Sequence, residues 1–150
     1  MTHNFKTHPE LTNSQMQLYY FESPHKQITE DFRAKVVKIH DGDTITLRTD
    51  FRDFDFPLRF LDTNAPELNE EGGHESRDWL SDKILNKEVD ILIDKKNRVG
   101  KWGRLLGSVF FSGMNINKES IVMGQSTSFS NRNEGKLPIM NKELNMSKWF

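Results

Sequence analysis

The chain of 150 residues contains no cysteine. This absence excludes disulfides, zinc–thiolate centres and thiol catalysis, but it leaves the compartment open because reducing and oxidising environments both accept such a chain. The sequence also has no apolar run that approaches the roughly 20 residues of a membrane span. Its first ten residues lack the apolar core of a signal peptide. We therefore expect a cytoplasmic protein that does not enter a membrane.

A large excess of charge of either sign is also missing. The chain has 21 Lys and Arg against 22 Asp and Glu, so it is not a polycation that would bind nucleic acid indiscriminately. Instead the charges are segregated, with acidic residues concentrated in 62–78 and basic residues in 95–104. Two such segments facing one cleft would suit a metal ion and a phosphate. The alternative is two solvated loops of opposite sign.

The composition and length of the chain are typical of an ordinary soluble protein with one folded domain. The apolar fraction is 35% and the charged fraction 29%, and the length allows a modest core. Eleven Phe and three Trp predict that aromatic side chains fill much of that core. We interpret residues 1–30 as a polar N-terminal extension and residues 31–150 as the folded domain.

The apolar pattern of the folded part predicts strands first. Apolar residues two apart flank an Asp-Gly pair at 41–42, which indicates a hairpin because glycine tolerates the positive φ of short turns. Further strands are expected at 56–61, 89–93 and 104–111, with helices at 75–86, 117–124 and 138–149. This order predicts a mainly β (α+β) fold, a five-stranded Greek-key barrel with two to three helices. The element pattern alone also allows other α+β folds.

Four short motifs follow one another along this pattern. They are Asp41-Gly42-Asp43-Thr44, then Arg59, then Asn64-Ala65-Pro66-Glu67, then Lys101-Trp102-Gly103-Arg104. A phosphodiester-cleaving enzyme needs oxygen ligands for a hard cation, guanidinium groups for phosphate charge, and a base for water. In this order the sequence resembles the staphylococcal nuclease (thermonuclease) family. That family has Asp-Gly-Asp-Thr, Arg, Asp-x-Pro-Glu and Tyr-Gly-Arg, and the likeness covers residues 35–125. The resemblance implies an OB-fold barrel.

The resemblance implies a calcium site. Asp43 would be a direct Ca²⁺ ligand, and Ala65 would contribute its backbone carbonyl. Asn64 stands where the family has an aspartate, five residues after Arg59. An asparagine oxygen can still bind calcium, but without charge, so we expect weaker metal affinity. The alternative for Asp43 is an acid that only flanks the turn.

The resemblance also implies catalytic and substrate-binding residues. Glu67 would sit beside the metal-bound water and act as general base. Arg59 and Arg104 would reach one phosphate from different strands and offset the charge on its oxygens. Lys101 would meet a neighbouring phosphate, and Trp102 would stack on a base in place of the family's tyrosine. An exposed aromatic in a hairpin turn is the alternative for Trp102.

Other polar residues near these motifs receive structural interpretations. Asp41 is expected to stabilise the turn by accepting backbone N–H groups, and Asp94 is expected to be structural. His40 is expected to be a surface residue at the end of a strand. Residues 126–130 depart from the family, which places tyrosines of the nucleotide pocket there.

These observations favour a calcium-dependent endonuclease. It would hydrolyse phosphodiester bonds of DNA, with RNA left open, prefer single strands, show little sequence specificity, and leave 3′-phosphate ends. We expect a monomer. The second hypothesis is a nucleic-acid-binding module of the same fold that has lost catalysis, which Asn64 supports. The third is an interaction protein, and the presence of Glu67 together with Arg59 and Arg104 counts against it.

Overall fold

The structure is a computed structural model that describes residues 10–15, 26–100 and 103–128 of the chain. The strands of this part are β1 (Phe32–Asp41), β2 (Thr44–Arg48), β3 (Phe56–Phe60), β4 (Thr63–Asn64), β5 (Glu88–Leu92), β6 (Leu105–Phe111), β7 (Met114–Asn115) and β8 (Thr127–Ser128). The helices are α1 (Gly73–Ile84) and α2 (Ile116–Val122). The third helix expected from the sequence, at 138–149, lies outside the described residues.

Five strands close into a barrel. They lie side by side in the order β3-β2-β1-β5-β6, and β3 also pairs with β6 in parallel, which closes the ring. The other contacts around the ring are antiparallel. A closed five-stranded barrel with a helix after the third strand is the OB architecture, so the expected fold is confirmed.

Alternating side chains fill this barrel. Phe56, Leu58 and Phe60 of β3 point inward and are buried, whereas the residues between them are half-buried. Leu80 and Ile84 of α1 cover the barrel and are fully buried. The core is mainly aliphatic, with Phe56 and Phe60 as its fully buried aromatic residues and Phe32, Phe54, Trp79 and Phe111 at its margin. The aromatic core expected from composition is therefore only partly present.

Helix α1 begins two residues earlier than the sequence predicted. Gly72 precedes it with a φ of 83°, a conformation that glycine adopts without strain. A Cβ on Gly73 would lie 2.9 Å from the Cα of Leu68 and would clash with the carbonyl of Glu67. The helix therefore begins against the backbone of the loop that carries Glu67, and this close approach fixes the position of that loop.

Parts of the segment before β1 pack on the barrel. Glu10 is only 1% exposed, and Gln27 and Ile28 are also buried. The domain boundary expected at residue 30 stays a prediction. Within the described ranges, the structure has no helix that is long and apolar enough to cross a membrane.

Candidate active site

The turn between β1 and β2 fixes the carboxylate of Asp43. Its backbone N–H donates to Oδ1 of Asp41 at 3.1 Å, which confirms the turn-stabilising role expected for Asp41. The Thr44 hydroxyl donates to Oδ1 of Asp43 at 3.0 Å, and the Ala65 N–H donates to Oδ2 at 2.8 Å. Asp43 is 5% exposed. The carboxylate is thus held between the turn and the residue that follows β4.

Gly42 is needed in this turn for a reason that the sequence did not reveal. Its φ is not in the positive range, contrary to the expectation from the Asp-Gly pair. A Cβ at this position would lie 2.6 Å from the Cβ of Ala65 and would clash with Oγ of Ser76. Ser76 Oγ in turn donates to the Gln125 carbonyl at 2.8 Å. Close packing of the turn against α1 and the segment after α2 therefore requires glycine here.

Arg59 joins the turn to β4. Its Nη1 donates to the carbonyls of Phe60 and Thr63 at 3.3 and 2.8 Å. Its Nη2 donates to Oδ1 of Asn64 at 2.8 Å and lies 3.4 Å from Oδ2 of Asp43. The register of β2 and β3 places Thr44 opposite Arg59, which explains why the two motifs meet. The structure thus brings Asp43, Arg59 and Asn64 into direct contact.

Strand β8 supports Asn64 from the other side. Asn64 pairs with Thr127, whose hydroxyl lies 3.5 Å from the Asn64 carbonyl as a long donor. Asn64 is buried, and its Nδ2 has no hydrogen-bond partner among the described residues. The segment at 126–130, which departs from the family in sequence, therefore includes Thr127, which supports the predicted metal ligand Asn64.

Arg104 precedes β6 and lies within electrostatic range of the same group. Burial lowers the pKa of Arg104, and the charge of Arg59 lowers it further, whereas Asp43 and Asp41 raise it. Its Nε is buried and has no hydrogen-bond partner in the part of the chain that the structure describes. Buried polar groups normally find partners. A half-buried guanidinium with a free donor, near a second guanidinium, is suited to an anion such as phosphate.

The environment of Asp43 raises its pKa to about 6. Burial is the main cause, and contact with the Asp41 side chain adds to it. The Ala65 N–H and the charge of Arg59 act in the opposite direction but do not cancel these effects. A bound cation would lower the pKa of Asp43, because it favours the ionised carboxylate.

The donor atoms at this place fit a calcium ion of modest affinity. Calcium prefers carboxylate, amide and carbonyl oxygens, and Asp43, Asn64 and Ala65 supply these types. Burial, which is the main cause of the raised pKa of Asp43, leaves its carboxylate with little contact to water. Across the described ranges, however, no group of three or more His, Cys, Asp or Glu residues converges. The Oδ1 of Asn64 is also shared with Arg59, so calcium would need water or substrate to complete its shell.

Glu67 lies in the loop between β4 and α1 and is exposed. Its N–H donates to Oε1 of Glu70 at 2.7 Å, and its carbonyl accepts the Glu70 N–H at 2.9 Å. In the described structure its carboxylate makes no hydrogen bond or ion pair with Asp43, Arg59 or Arg104. Catalytic contacts often form only with substrate, so its expected role stays a prediction.

The remaining predicted residues divide into two groups. Lys101 and Trp102 lie outside the described residues. His40 is exposed, with Nε2 2.8 Å from Oγ1 of Thr46, as expected for a surface strand residue. Asp94 has a structural role, because its Oδ1 accepts the Lys96 N–H at 3.0 Å.

Sequence reasoning missed Asn117 near this site. It is buried in α2, and its Oδ1 accepts the Val109 N–H at 3.0 Å. Its Nδ2 donates to the carbonyl of Leu61 at 3.1 Å and to that of Gly107 at 3.3 Å. It therefore ties the end of β3, and with it the Arg59 segment, to β6. A buried asparagine gives no periodic signal, so the sequence offered no means of finding it.

Comparison with known proteins gives matches over most of the chain. Residues 57–146 match the family described as staphylococcal nuclease homologue. An uncharacterized endonuclease of Escherichia coli O157:H7 is 27% identical over 133 residues, which cover 87% of this chain and 82% of that protein. An uncharacterized endonuclease of Haemophilus influenzae is 29% identical over 115 residues, covering 77% and 62% respectively. A micrococcal nuclease of Shigella flexneri is 35% identical over 80 residues, covering 53% and 43%.

Proposed function

The chain belongs to the staphylococcal nuclease homologue family, and we propose that it is a calcium-dependent endonuclease that hydrolyses phosphodiester bonds of DNA. Family membership and the nuclease names of the relatives support a nuclease-type function and therefore a nucleic-acid substrate. Calcium dependence, a preference for single strands, little sequence specificity and 3′-phosphate products are the finer parts of the proposal. RNA stays open as a second substrate.

The observation that carries the proposal is the position of Arg59 between Asp43 and Asn64, with Arg104 in electrostatic range. A phosphate bound here would meet the Arg59 guanidinium, which is already held by hydrogen bonds, and the nearby Arg104 guanidinium. Such groups offset the charge that develops on the phosphate oxygens during an in-line displacement. Loss of one comparable charge-stabilising donor costs about 3–4 kcal/mol in enzymes where this has been measured.

Asp43, Asn64 and the Ala65 carbonyl would hold the calcium ion. When bound, the ion would polarise a phosphoryl oxygen and lower the pKa of a nearby water. The chain's own residues prepare this place. Asp41 fixes the Asp43 backbone, and the Ala65 N–H fixes one carboxylate oxygen. Arg59 holds the Asn64 amide in one orientation.

The hydrolytic step would use the remaining residues as follows. Glu67 accepts a proton as water attacks phosphorus. Arg59 and Arg104 stabilise the charge on the equatorial oxygens. The bond to the 5′ oxygen breaks, that oxygen takes a proton from water and leaves as a 5′ hydroxyl, and the phosphate stays on the 3′ oxygen. Lys101 and Trp102 would bind the neighbouring phosphate and base, respectively.

The test is cleavage of denatured DNA with calcium and with EDTA, using wild-type protein, Glu67→Gln and a control, Glu71→Gln. Glu71 is exposed and lies in the same loop. We expect calcium-dependent fragments from the wild type and from the control. Glu67→Gln should lower the rate by about 100-fold or more, since general bases contribute roughly 10²–10⁴-fold.

A different outcome would favour the second hypothesis. If the folded wild-type protein binds denatured DNA at millimolar calcium but leaves it intact, the chain is a binding module. The neutral Asn64 is the observation that favours this reading. Asn64→Asp is then the first change to make, because it restores the family's carboxylate beside Arg59.

A further inference from the structure

A short N-terminal segment contacts both ends of the loop that carries Arg104. We refer to residues 10–13 as the N-terminal clamp and to residues 95–104 as the basic loop. At the start of the loop, Nδ2 of Asn13 donates to the Lys95 carbonyl at 2.8 Å. At its end, the Glu10 N–H donates to the Gly103 carbonyl at 2.9 Å. Gly103 directly precedes Arg104 in the chain.

The middle of the basic loop is fixed to the same clamp. Arg98 is 3% exposed, and its guanidinium donates to the Leu11 carbonyl at 3.0 Å and to Oδ1 of Asn13 at 3.1 Å. The same group donates to the Ile28 carbonyl at 2.8 Å. A buried arginine with this many acceptors is pre-organised and stiff. The Arg98 side chain therefore connects the basic loop to the N-terminal clamp through hydrogen bonds.

A buried carboxylate holds the clamp itself. Oε1 of Glu10 lies 2.5 Å from Nη1 of Arg52, and both side chains are almost fully buried. Nη2 of Arg52 donates to the Lys26 carbonyl at 2.9 Å. Glu10 also interacts electrostatically with Arg98. Removing one partner of a buried ion pair leaves an uncompensated charge, so the position of Glu10 is strongly specified.

These contacts fix the backbone position of Arg104. Gly103 has a φ of 68°, a conformation that most residues avoid, and its carbonyl is held by Glu10. The Arg104 carbonyl accepts the Gly100 N–H at 2.9 Å, and the Leu106 N–H donates to the Arg98 carbonyl at 2.8 Å. The backbone on both sides of Arg104 is thus fixed through bonds that lead back to the N-terminal clamp.

We propose that the N-terminal clamp, and Glu10 above all, positions Arg104 for the reaction. This inference rests on the proposed function, because it takes Arg104 as a group that contacts the substrate phosphate. The clamp lies outside residues 57–146, which match the family. Glu10 is a positioning residue, since it acts through Gly103 and Arg104 and its own carboxylate is buried away from solvent.

The first test compares Glu10→Gln with Glu30→Gln. The control makes the same chemical change at an exposed position. We expect Glu10→Gln to lower kcat by about tenfold to 100-fold, since small misplacements of catalytic groups have effects of this size. KM should change by a smaller factor than kcat, because the displaced charge contributes more in the transition state than in the bound substrate. Hydrogen exchange in residues 95–106 should become faster in Glu10→Gln and stay at the wild-type rate in Glu30→Gln.

A double variant separates positioning from general stability. If Glu10 acts through Arg104, then Glu10→Gln combined with Arg104→Ala should be about as slow as Arg104→Ala alone. If the rate of the double variant instead falls by the product of the two single-variant factors, the proposal is overturned. An unchanged kcat in folded Glu10→Gln would also overturn it.

A milder variant keeps the proposal testable if Glu10→Gln does not fold. Asn13 is exposed, and Asn13→Ala removes its bonds to Lys95 and Arg98 without burying an unpaired charge. Its hydrogen exchange in residues 95–106 should also rise. This measurement does not need enzymatic activity, so it separates the two proposals. If the wild type cleaves no DNA, the proposed function fails. If hydrogen exchange in residues 95–106 stays at the wild-type rate in the folded clamp variants, the proposed role of the N-terminal clamp is refuted.

Discussion

At the scale of single residues, the site buries charged and polar groups whose electrostatic and hydrogen-bonding needs are not all met. Asp43 is nearly buried beside a second carboxylate, yet it also lies 3.4 Å from Arg59. Asn64 satisfies Arg59 through Oδ1 but leaves its Nδ2 without a partner among the described residues. Buried polar groups of this kind reduce stability. We expect such groups at a site that binds a ligand, because they do not stabilise the fold.

The raised pKa of Asp43 predicts that its ionised form destabilises the calcium-free protein. The folded pKa, about 6, lies above the value of 3.8 taken for the unfolded chain. The contribution of this group to stability is therefore fully present below pH 3.8 and is lost as the pH rises through about 6. In EDTA, Asp43→Asn should raise the free energy of unfolding at pH 7.5 by about 1–3 kcal/mol.

Urea denaturation at pH 7.5 and at pH 4 measures this effect. The difference between Asp43→Asn and wild type should be much smaller at pH 4, where Asp43 is protonated in the folded state. Asp53→Asn is the control, because Asp53 is exposed. An Asn variant at position 43 that is less stable than wild type at both pH values would show that the contacts with Arg59 and Ala65 outweigh burial.

At the scale of elements, the site depends on how closely α1 approaches the turn between β1 and β2. Gly42 leaves no space for a Cβ, since Ala65 and Ser76 are already in contact with its backbone. The turn that carries Asp43 is thus seated directly on the helix. The position of the carboxylate is consequently a property of the packing between two elements, and not of the turn alone.

Gly42→Ala should therefore destabilise the protein by about 2–3 kcal/mol, as over-packing does in well-packed sites. Gly124→Ala is the contrasting control. It has a φ of 75° and open space around it, so its cost of about 1 kcal/mol comes from the backbone conformation alone. Thermal unfolding of both variants gives the comparison. Adding Ser76→Ala should restore part of the loss in Gly42→Ala and none of the loss in Gly124→Ala. Equal losses without rescue would contradict the packing explanation.

At the scale of the whole molecule, the positive and negative charges are nearly balanced. The net charge is −1, so we expect the electrostatic attraction of nucleic acid to come from local groups such as Arg59 and Arg104. Neutralising Z phosphates of a single strand gives a slope of about −0.7Z for the logarithm of the binding constant against the logarithm of salt concentration. If Arg59, Arg104 and Lys101 each contact one phosphate, as we propose, the slope should be about −2.

Binding of single-stranded DNA to Glu67→Gln in calcium measures this slope without cleavage. Adding Arg104→Ala should make the slope shallower by about 0.7, because one phosphate contact is lost. Arg33→Ala is the matched control, since Arg33 lies on the surface and pairs with Asp90 at 3.3 Å. A slope that changes equally in both variants would mean that Arg104 does not contact a phosphate.

The sequence by itself determined the order of the main elements and the place of the motifs along them, whereas the choice of the OB barrel among α+β folds rested on the family resemblance. Turn residues, apolar alternation in the strands and the helical spacing of Leu80 and Ile84 are local patterns, and local patterns can be read along the chain. The motif order also assigned Asp43, Arg59 and Asn64 to one site, and the structure brings these three side chains into contact.

Only the tertiary structure decided how these residues are held. The steric need for Gly42, the raised pKa of Asp43, the support of Asn64 by β8 and the bonds from Glu10 to the basic loop join residues far apart in sequence. The bond from Arg98 to Leu11 spans 87 positions. Such contacts depend on how the elements pack in three dimensions, and no local periodicity encodes that packing.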